Sequence, residues 1–265
     1  MSETQFLART HDGASYRIAY RHRNQLTAAA MLADQKPGVF WLSGFKSDMD
    51  GSKAVALDDW AERTGRYYTR FDYFGHGLSD GDFLQGTISR WYADALAVLT
   101  EVTTGPQILV GSSMGGWIAC LLAHRLAIAK GEASPIAGLV LIAPALDFTE
   151  DLMWNTMDEA VRDEILTKGQ YEKPSDYSDD PYIITRALIE DGRNNLLLTE
   201  PIHAGCRVHI LQGQQDDAVP WRHALRICEQ LADNDVIMTF IKTGDHRLST
   251  DEDIERMISA VEALA

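Results

Sequence analysis

The stretch from Gln107 to Ala123 restricts this chain more than any other. Gln107-Ile108-Leu109-Val110 reads as a short buried strand, and Trp117-Ile118-Ala119-Cys120-Leu121-Leu122-Ala123 as an apolar helix. Only Gly111-Ser112-Ser113-Met114-Gly115-Gly116 separates them. A chain passing so abruptly from strand to helix must turn sharply, with Ser113 at the apex. The pattern G-x-S-x-G fits only Ser113, because a frame on Ser112 needs glycines where Val110 and Met114 stand. Such a turn forces the serine into a strained backbone conformation, and glycines two positions to either side relieve the crowding. The hydroxyl then stands at the top of a sheet, facing solvent.

The rest of the chain supplies that sheet. Thr4 to Thr10 and Ser15 to His22 read as a hairpin at the sheet's edge, turning at His11-Asp12-Gly13-Ala14. Val39-Phe40-Trp41-Leu42, Tyr67 to Tyr73, Gly138 to Ile142, Arg207 to Leu211 and Val236 to Ile241 read as further strands. Helical patterns lie between them: Ile88 to Val102, the helix after Ser113 as far as Lys130, Trp221 to Ala232, and Asp251 to Leu264. Continuous apolar strands alternating with helices predict an α/β fold, a mostly parallel central sheet with helices on both faces. The alternation lapses between Asp147 and Cys206, where Met, Trp and Tyr gather in pieces that read as helical, including Leu152-Met153-Trp154, Met157, Tyr171, Tyr177 and Tyr182-Ile183-Ile184. The expected organisation is a core of residues 1–146 and 207–265, with 147–206 inserted as a helical cap over the C-terminal edge of the sheet, where such folds bind ligands.

Composition narrows the function. With 265 residues and a net charge of −15, the chain has no clustered Lys and Arg for a phosphate backbone, so no nucleic-acid partner is expected. No apolar run approaches the ~20 residues of a membrane-spanning helix. Three cysteines fit reduced thiols, and Met1-Ser2-Glu3-Thr4-Gln5 carries neither a basic leader nor an apolar h-region, so a cytoplasmic location is expected. Phe74-Gly75-His76-Gly77-Leu78-Ser79-Asp80-Gly81 resembles a glycine-rich dinucleotide loop, but its third glycine falls one residue late and no amphipathic helix starts on it. It reads as a structural loop beside the site. No H-E-x-x-H or paired C-x-x-C spacing occurs, so neither metal nor organic cofactor is expected.

A serine hydroxyl becomes a nucleophile only when a base takes its proton. Of eight histidines, His246 alone lies in a loop directly after the last strand, on the same sheet edge as the Ser113 turn. A carboxylate must hold the imidazole in its working tautomer. Asp216 ranks first, three residues after Gly213 in the loop that follows a strand; Asp217 and then Asp147 remain alternatives. An oxyanion needs backbone donors, expected from the N–H of Met114 and from the loop Ser43-Gly44-Phe45-Lys46, at Phe45.

With these residues placed, the chain resembles the α/β-hydrolases. The likeness rests on Ser43-Gly44-Phe45, Asp72 to Gly81, Gly111 to Gly116, Asp216 to Trp221 and Gly244 to Ser249, in the order Ser113…Asp216…His246. Ser43 stands where a histidine usually precedes the glycine. A narrower likeness is to the group of palmitoyl-protein thioesterases and acyl-glucuronide esterases of animal mitochondria, through Tyr182 to Arg186, Leu188 to Arg193, Val219-Pro220-Trp221 and Asp245 to Ser249. It implies a cofactor-independent serine hydrolase that cleaves acyl esters or thioesters, and the apolar residues of the cap point to a hydrophobic acyl group on a small-molecule or acylated substrate. A depalmitoylating thioesterase and a non-catalytic binding protein on the same fold are the rival expectations.

Overall fold

The computed structural model describes residues 2–11, 13–23, 36–173, 182–231 and 235–265. The chain opens with a hairpin, β1 (Gln5–His11) and β2 (Ala14–Arg23), followed by β3 (Gly38–Leu42), α1 (Ser52–Thr64), β4 (Tyr68–Phe71) and α2 (Ile88–Glu101). Then come β5 (Gln107–Ser112), α3 (Met114–Lys130) and β6 (Ile136–Ile142). Between β6 and the next strand of the main sheet lie a π turn (Thr149–Met153), α4 (Glu159–Lys168), a ribbon of β7 (Gln170–Lys173) and β8 (Tyr182–Thr185), and α5 (Arg186–Arg193). The chain closes with β9 (Arg207–Gly213), α6 (Trp221–Gln230), β10 (Val236–Ile241) and α7 (Asp251–Leu264).

Eight strands form the main sheet in the order β1-β2-β4-β3-β5-β6-β9-β10. β2 runs antiparallel to β1 and to β4, and every other pairing is parallel. Alternate residues of one strand serve opposite layers. Phe40 and Leu42 of β3, with Leu109 of β5 and Leu139 and Leu141 of β6, pack in the layer of α2, α3 and α6. Val39, Trp41, Ile108, Val110 and Val140 face α1 and α7 instead. Burial on both faces is why these strands are unbroken apolar runs rather than alternating ones. Asp58 is 1% exposed yet charged, and Arg23 Nε donates to it at 2.7 Å and Arg70 Nη2 at 3.1 Å. Arg70 Nη1 also donates to the Met49 carbonyl at 2.8 Å, bracing the segment after β3.

Two differences from the sequence reading have physical causes. Tyr171 and Tyr182-Ile183-Ile184, expected to be helical, lie in β7 and β8, paired Tyr171 with Ile184 and Lys173 with Tyr182. Aromatic and β-branched residues suit a pleated ribbon once a partner strand exists, and the partner is invisible in a local pattern. The helix α1 was not anticipated, because its buried face (Ala54, Leu57, Asp58, Trp60, Ala61) is short and interrupted by a charge. Tyr177, and Ala232 at the expected end of α6, lie outside the described residues.

Candidate active site

Ser113 sits between β5 and α3 with φ 53° and ψ −116°, a conformation that side chains resist. Two close backbone approaches maintain it. A Cβ at Gly111 would lie 2.4 Å from the Gly115 carbonyl oxygen, and one at Gly115 would lie 2.0 Å from that of Leu42. The turn is thereby pressed against the end of β3, and Gly44 comes within 3.5 Å of the Ser113 Cβ, measured from its own ideal Cβ. The Ser113 N–H donates to Ile142 O at 2.9 Å, locking the turn to β6.

His246, 133 residues downstream, brings Nε2 to 3.1 Å from Ser113 Oγ. Its Nδ1 lies 2.8 Å from Asp216 Oδ2. A carboxylate only accepts, so Nδ1 carries the proton and Nε2 is left to receive one from the serine hydroxyl. The Asp216 side chain is fully buried and well held: the Ala218 and Val219 N–H groups donate to Oδ1 at 2.9 and 2.7 Å, and Gln212 Nε2 to Oδ2 at 3.2 Å. Asp245 shapes the histidine loop by accepting from the Arg247 and Leu248 N–H groups, both at 3.0 Å.

The other two candidate carboxylates lie elsewhere. Asp217 is exposed on the rim of the cavity. Asp147 accepts from the Leu197 N–H at 2.8 Å and the Leu198 N–H at 2.8 Å, tying the end of β6 to the segment after α5. Burial there pushes its carboxyl pKa up to about 6. Among the described residues neither the Phe45 nor the Met114 N–H has a hydrogen-bond acceptor, although both residues border the cavity beside Ser113.

That cavity, about 870 Å³, has two unlike walls. Phe45, Phe148, Leu152, Met153, Tyr182 and Ile184 form the apolar one. Phe45 anchors it, with ring centroids 5.0 Å from Phe83, 5.7 Å from Phe148 and 6.4 Å from Tyr182. Ser47, Asp48, Ser52, Lys53 and Ser249 form the polar one. The sequence reading missed this wall. Nothing in the pattern of α1 marks its first turn as facing a cavity, and only the strand order brings it there. Lys53 Nζ donates to the Arg247 carbonyl, and burial lowers its pKa to about 8.

The chain that carries this partly buried serine, imidazole and carboxylate is similar along most of its length to known proteins. The family described as serine aminopeptidase, S33, matches residues 34–253. The mouse mitochondrial palmitoyl-protein thioesterase ABHD10 is 35% identical over 250 residues, 93% of this chain and 82% of the relative. A solved protein from Agrobacterium vitis S4 superposes with a TM-score of 0.92 at 45% identity, covering 99% of this chain and 98% of the other. The solved mouse α/β-hydrolase domain-containing protein 10 gives a TM-score of 0.84 at 32% identity, with 99% and 98% covered. The expected cytoplasmic location is contradicted by the curated relatives: the mouse, cattle, rat, orangutan and human proteins are all named as mitochondrial. Few cysteines and an acidic surface report on redox state and solubility, and neither distinguishes one reducing compartment from another. No helix among the described residues is long and apolar enough to cross a membrane. The chain therefore belongs to the α/β-hydrolase family described as serine aminopeptidase, S33, and is an enzyme of the serine hydrolase, esterase type.

Proposed function

We propose that the enzyme hydrolyses acyl esters or thioesters through an acyl-enzyme on Ser113. His246 Nε2 takes the hydroxyl proton as Oγ attacks the acyl carbonyl carbon, and Asp216 stabilises the imidazolium that forms. The Phe45 and Met114 N–H groups hold the oxyanion; removing one such donor typically lowers the rate by about 10²–10³-fold. The carbon–oxygen or carbon–sulfur bond then breaks, and the imidazolium proton goes to the departing alcohol or thiol. A water enters and gives a proton to His246 as its oxygen attacks the acyl carbon; the carbon–Oγ bond then breaks, the imidazolium returns that proton to Ser113 Oγ, and the acid is released. The single observation that carries this reading is the imidazole bridging Ser113 Oγ at 3.1 Å and Asp216 Oδ2 at 2.8 Å.

Residues 147–206 act as a lid whose apolar residues receive the acyl chain: Phe148, Leu152, Met153, Tyr182 and Ile184 all come from this segment. A thioester of a long-chain acyl group is favoured over a short ester by that wall, and by the thioesterase name of the mouse relative. The test is turnover of p-nitrophenyl esters and of acyl-thioester peptides of increasing chain length, together with labelling by a fluorophosphonate. Wild type labels and turns over; Ser113→Ala does neither while keeping its circular dichroism spectrum; Asp216→Asn loses on the order of 10⁴ in kcat. Labelling that persists in Ser113→Ala would sink the reading.

A further inference from the structure

The loop Phe74 to Gly81, set aside as a cofactor motif, lies directly under the segment that carries Phe45. Its hydrogen bonds converge on that segment. The Asp72 carboxylate accepts from the Met49 N–H at 2.7 Å with one oxygen and from the Leu78 N–H at 2.8 Å with the other, joining the two loops. The Lys46 N–H donates to His76 Nε2 at 3.3 Å. Lys46 is the residue after Phe45 and has φ 57°, a left-handed conformation that a lysine adopts only under restraint. The bond to His76 holds the peptide between Phe45 and Lys46, the one that directly follows the peptide carrying the Phe45 N–H.

His76 is built for accepting. It is 4% exposed and enclosed by rings, with centroids 5.1 Å from Phe83, 5.2 Å from Trp91 and 5.6 Å from Tyr73. Nδ1 lies 3.1 Å from the Phe74 carbonyl oxygen, so that nitrogen carries the proton and Nε2 keeps its lone pair. Burial lowers the imidazole pKa to about 4, which keeps the ring neutral near pH 7. Neither ring nitrogen is directed at Ser113, and both are engaged by backbone.

From this geometry we propose that His76 is a positioning residue for the hydrolysis, holding the Lys46 peptide so that the Phe45 N–H points at the oxyanion. The inference rests on the oxyanion role given above to Phe45. It concerns orientation of a donor, not substrate binding, so its loss falls on kcat rather than KM.

Two variants separate hydrogen bonding from packing. His76→Phe keeps a ring against Phe83 and Trp91 and removes the acceptor; His76→Gln removes the ring and returns an acceptor oxygen near the Nε2 position. Misplacing a catalytic group by ~1 Å costs up to about 10²-fold, so His76→Phe is expected to lose about tenfold or more in kcat with KM nearly unchanged. His76→Gln is expected to recover most of that loss even where its melting temperature is the lower of the two. Equal losses in both variants, or wild-type kcat in His76→Phe, overturn the proposal. A measurement on the wild type needs no variant to fold: the ¹⁵N shifts of His76 should show the Nδ1–H tautomer, and an Nε2–H tautomer also overturns it. Failure of the wild type to turn over any acyl ester or thioester would instead strike the proposed function, which the same kinetics reveal first.

Discussion

Replacing Gly115 by alanine tests how the nucleophile turn and the Phe45 loop are held together. The added Cβ would lie 2.0 Å from the Leu42 carbonyl oxygen, 2.6 Å from the Leu42 carbonyl carbon and 2.7 Å from the Ser43 carbonyl oxygen. Ordinary contact begins at 3.4 Å, and all three neighbours are backbone, so no rotamer change relieves the clash. The start of α3 and the end of β3 must therefore separate by about 1 Å or more at this point, opening the parallel β3–β5 pair where Leu42 faces Gly111. Overpacking of this kind costs about 1–3 kcal/mol, and two backbone segments of one sheet place it at the upper end. For a domain near this size, each kcal/mol moves the melting temperature by about 2–4 °C, so a drop of roughly 5–10 °C is expected. The same displacement carries Phe45 away from Ser113, and a ~1 Å misplacement is worth about 10²-fold in rate. Calorimetry and steady-state kinetics on one ester substrate read both effects. KM should rise as well, because the displaced Phe45 ring anchors the apolar wall against Phe148 and Tyr182. A variant that melts within about 1 °C of wild type and keeps kcat within about twofold would refute the account, since surface-like substitutions stay in that range.

Two inactive variants of the nucleophile should differ in stability: at φ 53° a Cβ is strained, so Ser113→Gly should exceed Ser113→Ala by about 1 kcal/mol in denaturant unfolding. The reverse order would show that the turn is unstrained. Burial raises the folded-state pKa of Asp147 to about 6, above its ordinary value of 3.8, so the folded protein binds this proton more tightly than the unfolded chain. The stability it contributes is complete below about pH 4 and is lost as pH rises through 6. The unfolding free energy of wild type minus that of Asp147→Asn should accordingly fall between pH 4 and pH 7, by up to about 3 kcal/mol, and a difference independent of pH would contradict the burial argument. Arg70→Met leaves Asp58 with Arg23 alone and removes the donor to Met49 O, so urea unfolding should show a loss of about 3 kcal/mol. Unchanged stability would mean that the pair is not the brace its geometry implies.

How much of this was legible beforehand depended on how local each signal is. The strand–turn–helix around Ser113 was readable because the apolar run, the turn residues and the helix lie within a few residues of each other. The eight-stranded sheet was readable nearly strand by strand, since burial on both faces leaves unbroken apolar runs such as Leu139-Val140-Leu141-Ile142. The β7–β8 ribbon was not, because Tyr171 and Ile184 pair across separate stretches of sequence and neither run alone distinguishes strand from helix. The helix α1 was equally silent, as was the cavity wall that its first turn provides.

Pattern and composition alone determined the layered α/β class, the serine at a sharp turn, and a histidine and acidic residues in loops after strands. Tertiary structure alone decided which carboxylate meets His246: Asp216 is turned inward by the Ala218 and Val219 N–H groups, while its neighbour Asp217 is exposed and Asp147 is committed to Leu197 and Leu198. It also decided that His76 faces Lys46 and that Lys53 reaches the His246 loop. The physical reason is range. Sterics and periodic burial act over a handful of neighbours and leave their mark in the order of residues, whereas contacts 30 to 194 positions apart exist only once the strand order has brought their segments together.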